Sequence, residues 1–129
     1  MSTPSNFRDR VLAGEWLAGT FINLCSALTA EIAGRAGFDW LMLGYEHGPG
    51  SDETLLHQLQ AVSATPAATI ARLAANETPR FKRVLDLGAG GVMVPYASTE
   101  AEAQAAVAAF RYPPRGIRGN GRSSSSEAA

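Results

Sequence analysis

The run Phe38-Asp39-Trp40-Leu41-Met42-Leu43 constrains this chain more than any other segment, because after Asp39 it holds no polar residue and shows no alternation. A half-exposed strand alternates polar with apolar side chains, and one buried on both faces does not, so the run reads as a strand of a parallel α/β sheet. It stops abruptly at Gly44-Tyr45-Glu46-His47-Gly48-Pro49. Ligands in such folds gather beyond the carboxyl ends of the strands, which makes Glu46 and His47 the first candidates for a functional pair. A glutamate beside a histidine takes up a proton, orients a water or binds a metal near neutral pH; the competing reading is a solvated surface turn.

The same strand-then-helix pattern recurs along the chain. Strands are expected over Trp16 to Leu24, Phe38 to Leu43, Ala68 to Leu73 and Gly91 to Pro95. Helices are expected over Ser26 to Ala36, with Leu28 and Ile32 on one face, and after the N-cap signal Ser51-Asp52, with Leu55, Leu56, Leu59 and Val62 on one face. A third runs from Pro79 in its first turn to Leu87, stopped by Gly88, and a fourth opens with a Thr99/Glu102 capping box and ends before Tyr112-Pro113-Pro114. The fold class is therefore α/β, built of about four parallel βα units with right-handed crossovers. A closed eight-unit barrel takes about 250 residues, so four units in 129 residues do not close one, and the chain is expected to be cut off after its fourth unit. The Gly- and Ser-rich stretch 120–129 has the composition of a flexible tail.

Charge and cysteine usage exclude several function classes. A net charge of -1 with scattered Lys and Arg leaves no basic footprint for nucleic acid, and no apolar stretch has the length of a membrane span. The single Cys25 rules out an internal disulfide and fits a reducing, cytoplasmic compartment.

Several pieces occur in a specific order: Gly37-Phe38-Asp39-Trp40-Leu41, Glu46-His47-Gly48-Pro49, Gln58-Leu59-Gln60-Ala61, Arg72, Lys82-Arg83-Val84-Leu85-Asp86-Leu87-Gly88-Ala89, Gly91-Val92-Met93-Val94-Pro95 and Arg111-Tyr112-Pro113-Pro114-Arg115-Gly116-Ile117-Arg118-Gly119. Together they resemble the HpcH/HpaI aldolase family, over nearly everything from Phe7 to Gly119. The resemblance implies a TIM barrel, of which residues 1–119 are the N-terminal half, that cleaves 4-hydroxy-2-oxo acids to pyruvate and an aldehyde, with a divalent metal (Mg, Mn or Co) that binds the 2-oxo acid. It implies catalytic roles for Arg72 at the keto oxygen, His47 in proton transfer and Asp86 in orienting that histidine. It also places Glu46 near metal-bound water and Gly88, Ala89 and Pro95 in the site wall. Two departures stand out. Gly44 replaces an aspartate usual in the family, and the two carboxylates that hold the metal lie on a fifth and sixth strand with no counterpart in these 129 residues. No metal ligand is therefore assigned, and the chain is expected to be incomplete alone. The implied partners are a small 2-oxo acid and either further copies of the chain or a C-terminal half.

Two readings from other classes compete. Unpaired edge strands suit a noncatalytic half-barrel that pairs with another chain. Arg83-Val84-Leu85-Asp86-Leu87-Gly88-Ala89-Gly90-Gly91 also resembles the glycine-rich first motif of S-adenosylmethionine-dependent methyltransferases, which requires Val84 to Leu87 to be a strand.

Overall fold

The computed structural model describes residues 6–44 and 50–119. Strands β1 (Gly19–Ile22), β2 (Trp40–Gly44), β3 (Ala68–Arg72) and β4 (Gly91–Met93) form one sheet in sequence order, every neighbouring pair parallel. A short helix α1 (Phe7–Leu12) precedes them, and α2 (Ala27–Arg35), α3 (Asp52–Ser63), α4 (Thr78–Asp86) and α5 (Glu100–Phe110) follow one strand each. This is the expected run of four βα units.

Local chemistry sets the helix ends. The Ser26 and Ser51 hydroxyls accept hydrogen bonds from the amides of Thr29 and Thr54, satisfying donors that the first helical turn leaves open. At α5 the capping box is complete. The Thr99 hydroxyl accepts from Glu102 N at 3.2 Å, and the Glu102 carboxylate accepts from Ser98 N at 2.7 Å and Thr99 N at 3.0 Å. Those two backbone amides hold the Glu102 carboxyl below the ordinary range. Pro79 lies in the first turn of α4, and Gly88, at φ +106°, turns the chain away after its end. Val84 and Leu85 are thus helical and buried, which removes the strand that a methyltransferase reading needs.

Side chains divide between the two faces of the sheet. Ile22, Leu41, Leu43, Ala71 and Leu73 merge with Leu55, Leu59, Val62, Phe81 and Val84 of the helices into one core. Alternate residues point to the opposite face, where the Phe21 and Trp40 rings meet edge to face at 6.4 Å. The register stacks this second face in rows: Gly19, Trp40 and Ala68, then Phe21, Met42, Ile70 and Gly91, then Gly44, Arg72 and Met93 at the carboxyl rim.

Three expectations are corrected. The first strand is shorter than Trp16 to Leu24: Trp16 is fully exposed, and β1 exists only where it pairs with β2. The fourth likewise ends at Met93 rather than Pro95. Leu28 and Ile32 do not form the inner face of α2; they are 66% and 59% exposed, and the small residues Ala30 and Gly34 are buried in their place. Helix α1 had no sequence counterpart in the reading above, because its six residues carry no apolar period and bury nothing.

Part of the apolar exposure lies on the two flanks of the sheet. Phe21, Leu28 and Ile32 lie beside β1, and Met93, Val107 and Phe110 beside β4.

Candidate functional site at the carboxyl rim

Arg72 is the last residue of β3, paired with Gly44 on one side and Met93 on the other. The Ala-Thr-Ile-Ala segment before it is ordinary strand sequence, so the sheet itself carries the guanidinium to the rim. Neighbouring loops hold strained backbone. Cys25 and Tyr96, at φ 52° and 57°, are non-glycine residues in the left-handed region, each three positions past the end of a strand. Such conformations cost free energy and persist where surrounding structure imposes them, often at functional sites. Pro95, two residues past β4, is buried at this same end. Glu46 and His47 lie outside the described residues.

The opposite rim has a different character. Gly90 N donates to the Thr69 hydroxyl at 3.2 Å, which seats the Gly88-Ala89-Gly90 turn beside the start of β3. At about 3.3 Å per residue, that is about 10 Å along the strand from Arg72. Asp86, closing α4, belongs to the same end; its carboxylate accepts from Arg118 Nη2 at 3.4 Å, and the Arg118 guanidinium lies over the Tyr112 ring at 4.5 Å. The structure therefore does not bring Asp86, Gly88 or Ala89 to Arg72 within one chain. The expectation that the glycine turn and Arg72 share a rim fails for a topological reason: a turn from helix into strand enters at the amino end, and Arg72 leaves at the carboxyl end.

Helix α1 is tied to this amino-terminal rim. Arg10 bonds Glu15 and Asp39, each at 2.8 Å, and Ala18 N donates to Asp39 at 2.9 Å. The Ala18 amide and then the Arg10 guanidinium hold the Asp39 carboxyl below its ordinary range, while Glu15 and Asp39 raise Arg10. A cavity of about 1050 Å³ also opens here, with Phe7, Leu12, Leu59, Ile70, Gly88 and Phe110 in its wall. Arg72 and Pro95 do not line it. Volume and chemistry thus point to opposite ends, and the site follows the chemistry.

One rim residue escaped the sequence reading. Asn23 follows β1 directly, and continuing the β1/β2 register by one residue sets it beside Gly44. A polar residue just past the apolar Phe21-Ile22 was the available signal, the same signal that marked Arg72 after Ile70-Ala71.

A metal centre was tested against the donors present. Among the described residues no group of three or more His, Cys, Asp or Glu side chains is placed to hold a cation. The rim's charged group at the end of β3 is itself a cation, Arg72, which suits an anionic oxygen. The described residues do not fit a metal site by themselves.

Comparison with known proteins agrees with this architecture. The family model for HpcH/HpaI aldolase/citrate lyase matches residues 17–127. A hydroxypyruvate/pyruvate aldolase of Agrobacterium fabrum is 41% identical, the match covering 94% of this chain and 46% of the relative. A 4-hydroxy-2-oxo-heptane-1,7-dioate aldolase of Klebsiella pneumoniae is 43% identical over 89% of this chain and 43% of its own length. Among solved structures, an HpcH/HpaI aldolase/citrate lyase family protein from Burkholderia cenocepacia superposes with a TM-score of 0.83 at 33% identity, covering 88% of this chain and 47% of that one. The chain thus spans about half the length of the curated relatives it matches. Among the described residues, no helix is long and apolar enough to cross a membrane. With its sheet order, its rim arginine and its match to the family model over residues 17–127, the chain belongs to the HpcH/HpaI aldolase/citrate lyase family.

Proposed function

We propose that this chain supplies half of the active site of a cytoplasmic pyruvate aldolase, a carbon-carbon lyase that cleaves 4-hydroxy-2-oxo acids. The observation that carries the reading is Arg72, a cation set on the open face of the sheet at its carboxyl rim, among relatives named as aldolases. Retro-aldol cleavage removes the proton of the C4 hydroxyl and breaks the C3–C4 bond. The electron pair moves onto the C2 carbonyl oxygen as an enolate, which takes a proton at C3 to give pyruvate. Arg72 stabilises the charge that develops on that oxygen, an effect worth about 4 kcal/mol at the upper range for a fixed donor. His47, three residues past the end of β2, serves as the proton carrier, and Glu46 orients water beside it.

A divalent metal, Mg, Mn or Co, belongs to the reaction of the complete enzyme. The described residues do not fit one, the family resemblance puts its ligands on a fifth and a sixth strand, and no step above runs through it. In its own chain Asp86 lies at the amino-terminal rim with Arg118, so orienting His47 would require a neighbouring copy. The unpaired flanks with Phe21, Leu28, Met93 and Phe110 give the surface on which a C-terminal half or a second copy docks.

The test is proton exchange at C3 of pyruvate. The chain, complemented with the C-terminal half of the Klebsiella pneumoniae relative and a divalent metal, should erase the pyruvate methyl signal in D2O by forming the enolate. A complemented, folded assembly that leaves that signal intact would contradict the proposal.

A further inference from the structure

The carboxyl rim holds a second polar group that the reaction above does not use. Asn23 is exposed, and its carboxamide makes no hydrogen bond among the described residues. Its position is defined by its neighbour. A Cβ built on Gly44 would stand 2.6 Å from Asn23 Oδ1 and 3.5 Å from the Ile22 carbonyl oxygen. The carboxamide of Asn23 thus lies across the end of β2, in the volume that a side chain at position 44 would fill. Gly44 is in turn the register partner of Arg72. Adjacent strands are about 4.8 Å apart, so by leaning over Gly44 the Asn23 amide comes to within about one strand spacing of the Arg72 line.

We propose that Asn23 is a substrate-positioning residue that works with Arg72 as a two-point clamp on a 2-oxo acid. Arg72 takes an anionic oxygen, and the Asn23 amide donates to a second oxygen of the same ligand. The side chains suit this division. Guanidinium is a permanent cation with forked donors, whereas a carboxamide is neutral and offers donors and an acceptor. Gly44 is part of the device because it leaves room for the carboxamide. Met93, the other neighbour of Arg72 in the row, provides no comparable polar group. This inference rests on the aldolase reading for its ligand class.

The geometry makes a specific prediction about two different positions. Asn23→Ala removes the amide directly. Gly44→Ala removes it indirectly, because the new methyl group claims its place, and the displaced atom is the free end of a flexible side chain that swings outward. Both substitutions should therefore give the same defect, and combining them should add nothing.

Pyruvate titrated into the 129-residue chain and followed by ¹H–¹⁵N NMR provides the test. Saturable shifts should include the Asn23 side-chain amide and should vanish in Arg72→Ala. Asn23→Ala and Gly44→Ala should each raise the dissociation constant about 3-fold to 10-fold, the worth of one hydrogen bond, with the double variant no weaker than either single one. Tm should stay near that of the parent in Asn23→Ala, which separates positioning from a structural role. If pyruvate binds in an Arg72-dependent way and Asn23→Ala binds equally well, the clamp is wrong and the aldolase reading stands. Additive losses in the double variant would also overturn the clamp. A parent chain with no saturable shift would overturn the clamp, while the aldolase reading is judged separately by proton exchange in the complemented assembly.

Discussion

The two ends of this sheet are built from the same short strands and yet differ in almost every physical respect. At the amino end, polar groups are paired: Asp39 accepts from Ala18 N and Arg10, Thr69 accepts from Gly90 N, and Asp86 accepts from Arg118. At the carboxyl end the Asn23 carboxamide makes no hydrogen bond among the described residues, Cys25 and Tyr96 sit in the left-handed region, and Arg72 is the register partner of Gly44. One end is organised to hold the fold together, and the other carries strain and polar groups suited to a ligand. The division matches the general behaviour of βα barrels, in which chemistry collects after the strands and stability before them.

Substitutions should respect that division. The largest effect on turnover is expected from Arg72→Ala in the complemented enzyme, a loss of about 10³-fold, the upper range for removing a fixed donor from a developing oxyanion. Steady-state kinetics beside a thermal melt would separate the loss of turnover from any loss of fold. His47→Ala should follow with a loss of about 10²-fold, the lower range for a single proton carrier. A large drop in Tm with unchanged turnover, for either variant, would erase the contrast between the rims.

The flanks provide a third comparison, since they expose apolar side chains and carry none of the paired polar groups of the amino end. Half a barrel with Val107 and Phe110 on one side and Phe21, Leu28 and Ile32 on the other should associate with a second copy or with a C-terminal half. In sedimentation, Val107→Glu together with Phe110→Glu should weaken that association about tenfold or more, as loss of a central anchor does. A parent chain that stays a folded monomer at high micromolar concentration would count against the flanks as a docking surface.

The smallest effect belongs to the amino end. Asp39 has its carboxyl pKa lowered on folding, so its contribution is fully present above the unfolded carboxylate value and is lost as pH falls through the lower folded value. Asp39→Asn should therefore lower Tm at neutral pH and match the parent in acid, without altering turnover. A melt series against pH would show the two curves converge. A constant gap down to the most acid point would mean that Asp39 acts through something other than its charge.

Much of this molecule was legible in advance, for reasons that differ by region. The unalternating Trp40 to Leu43 run, the Thr99/Glu102 box, Pro79 and Gly88 are local signals with local consequences, and each led to the correct element. Arg72 was legible because a cation ends an apolar strand. The rest depended on neighbours in space. Leu28 and Ile32 carry a helical period, but α2 packs through Ala30 and Gly34, and no periodicity tells which of two faces a flank leaves uncovered. Asn23 gains meaning only once β1 is set beside β2 and Gly44 is seen to yield its space. Asp86 and Gly88 were joined to Arg72 through family resemblance, and the sheet places them at the far end of the strands.

The central claim is that this chain carries half of a pyruvate aldolase site and needs the other half for chemistry. The most direct measurement is pyruvate release from a 4-hydroxy-2-oxo acid in the presence of Mg²⁺, Mn²⁺ or Co²⁺, by the 129-residue chain alone and again after adding a C-terminal half from the Klebsiella pneumoniae aldolase. The account predicts little release from the chain alone and a large, Arg72-dependent rise on complementation. Robust metal-dependent release by the chain alone would contradict it.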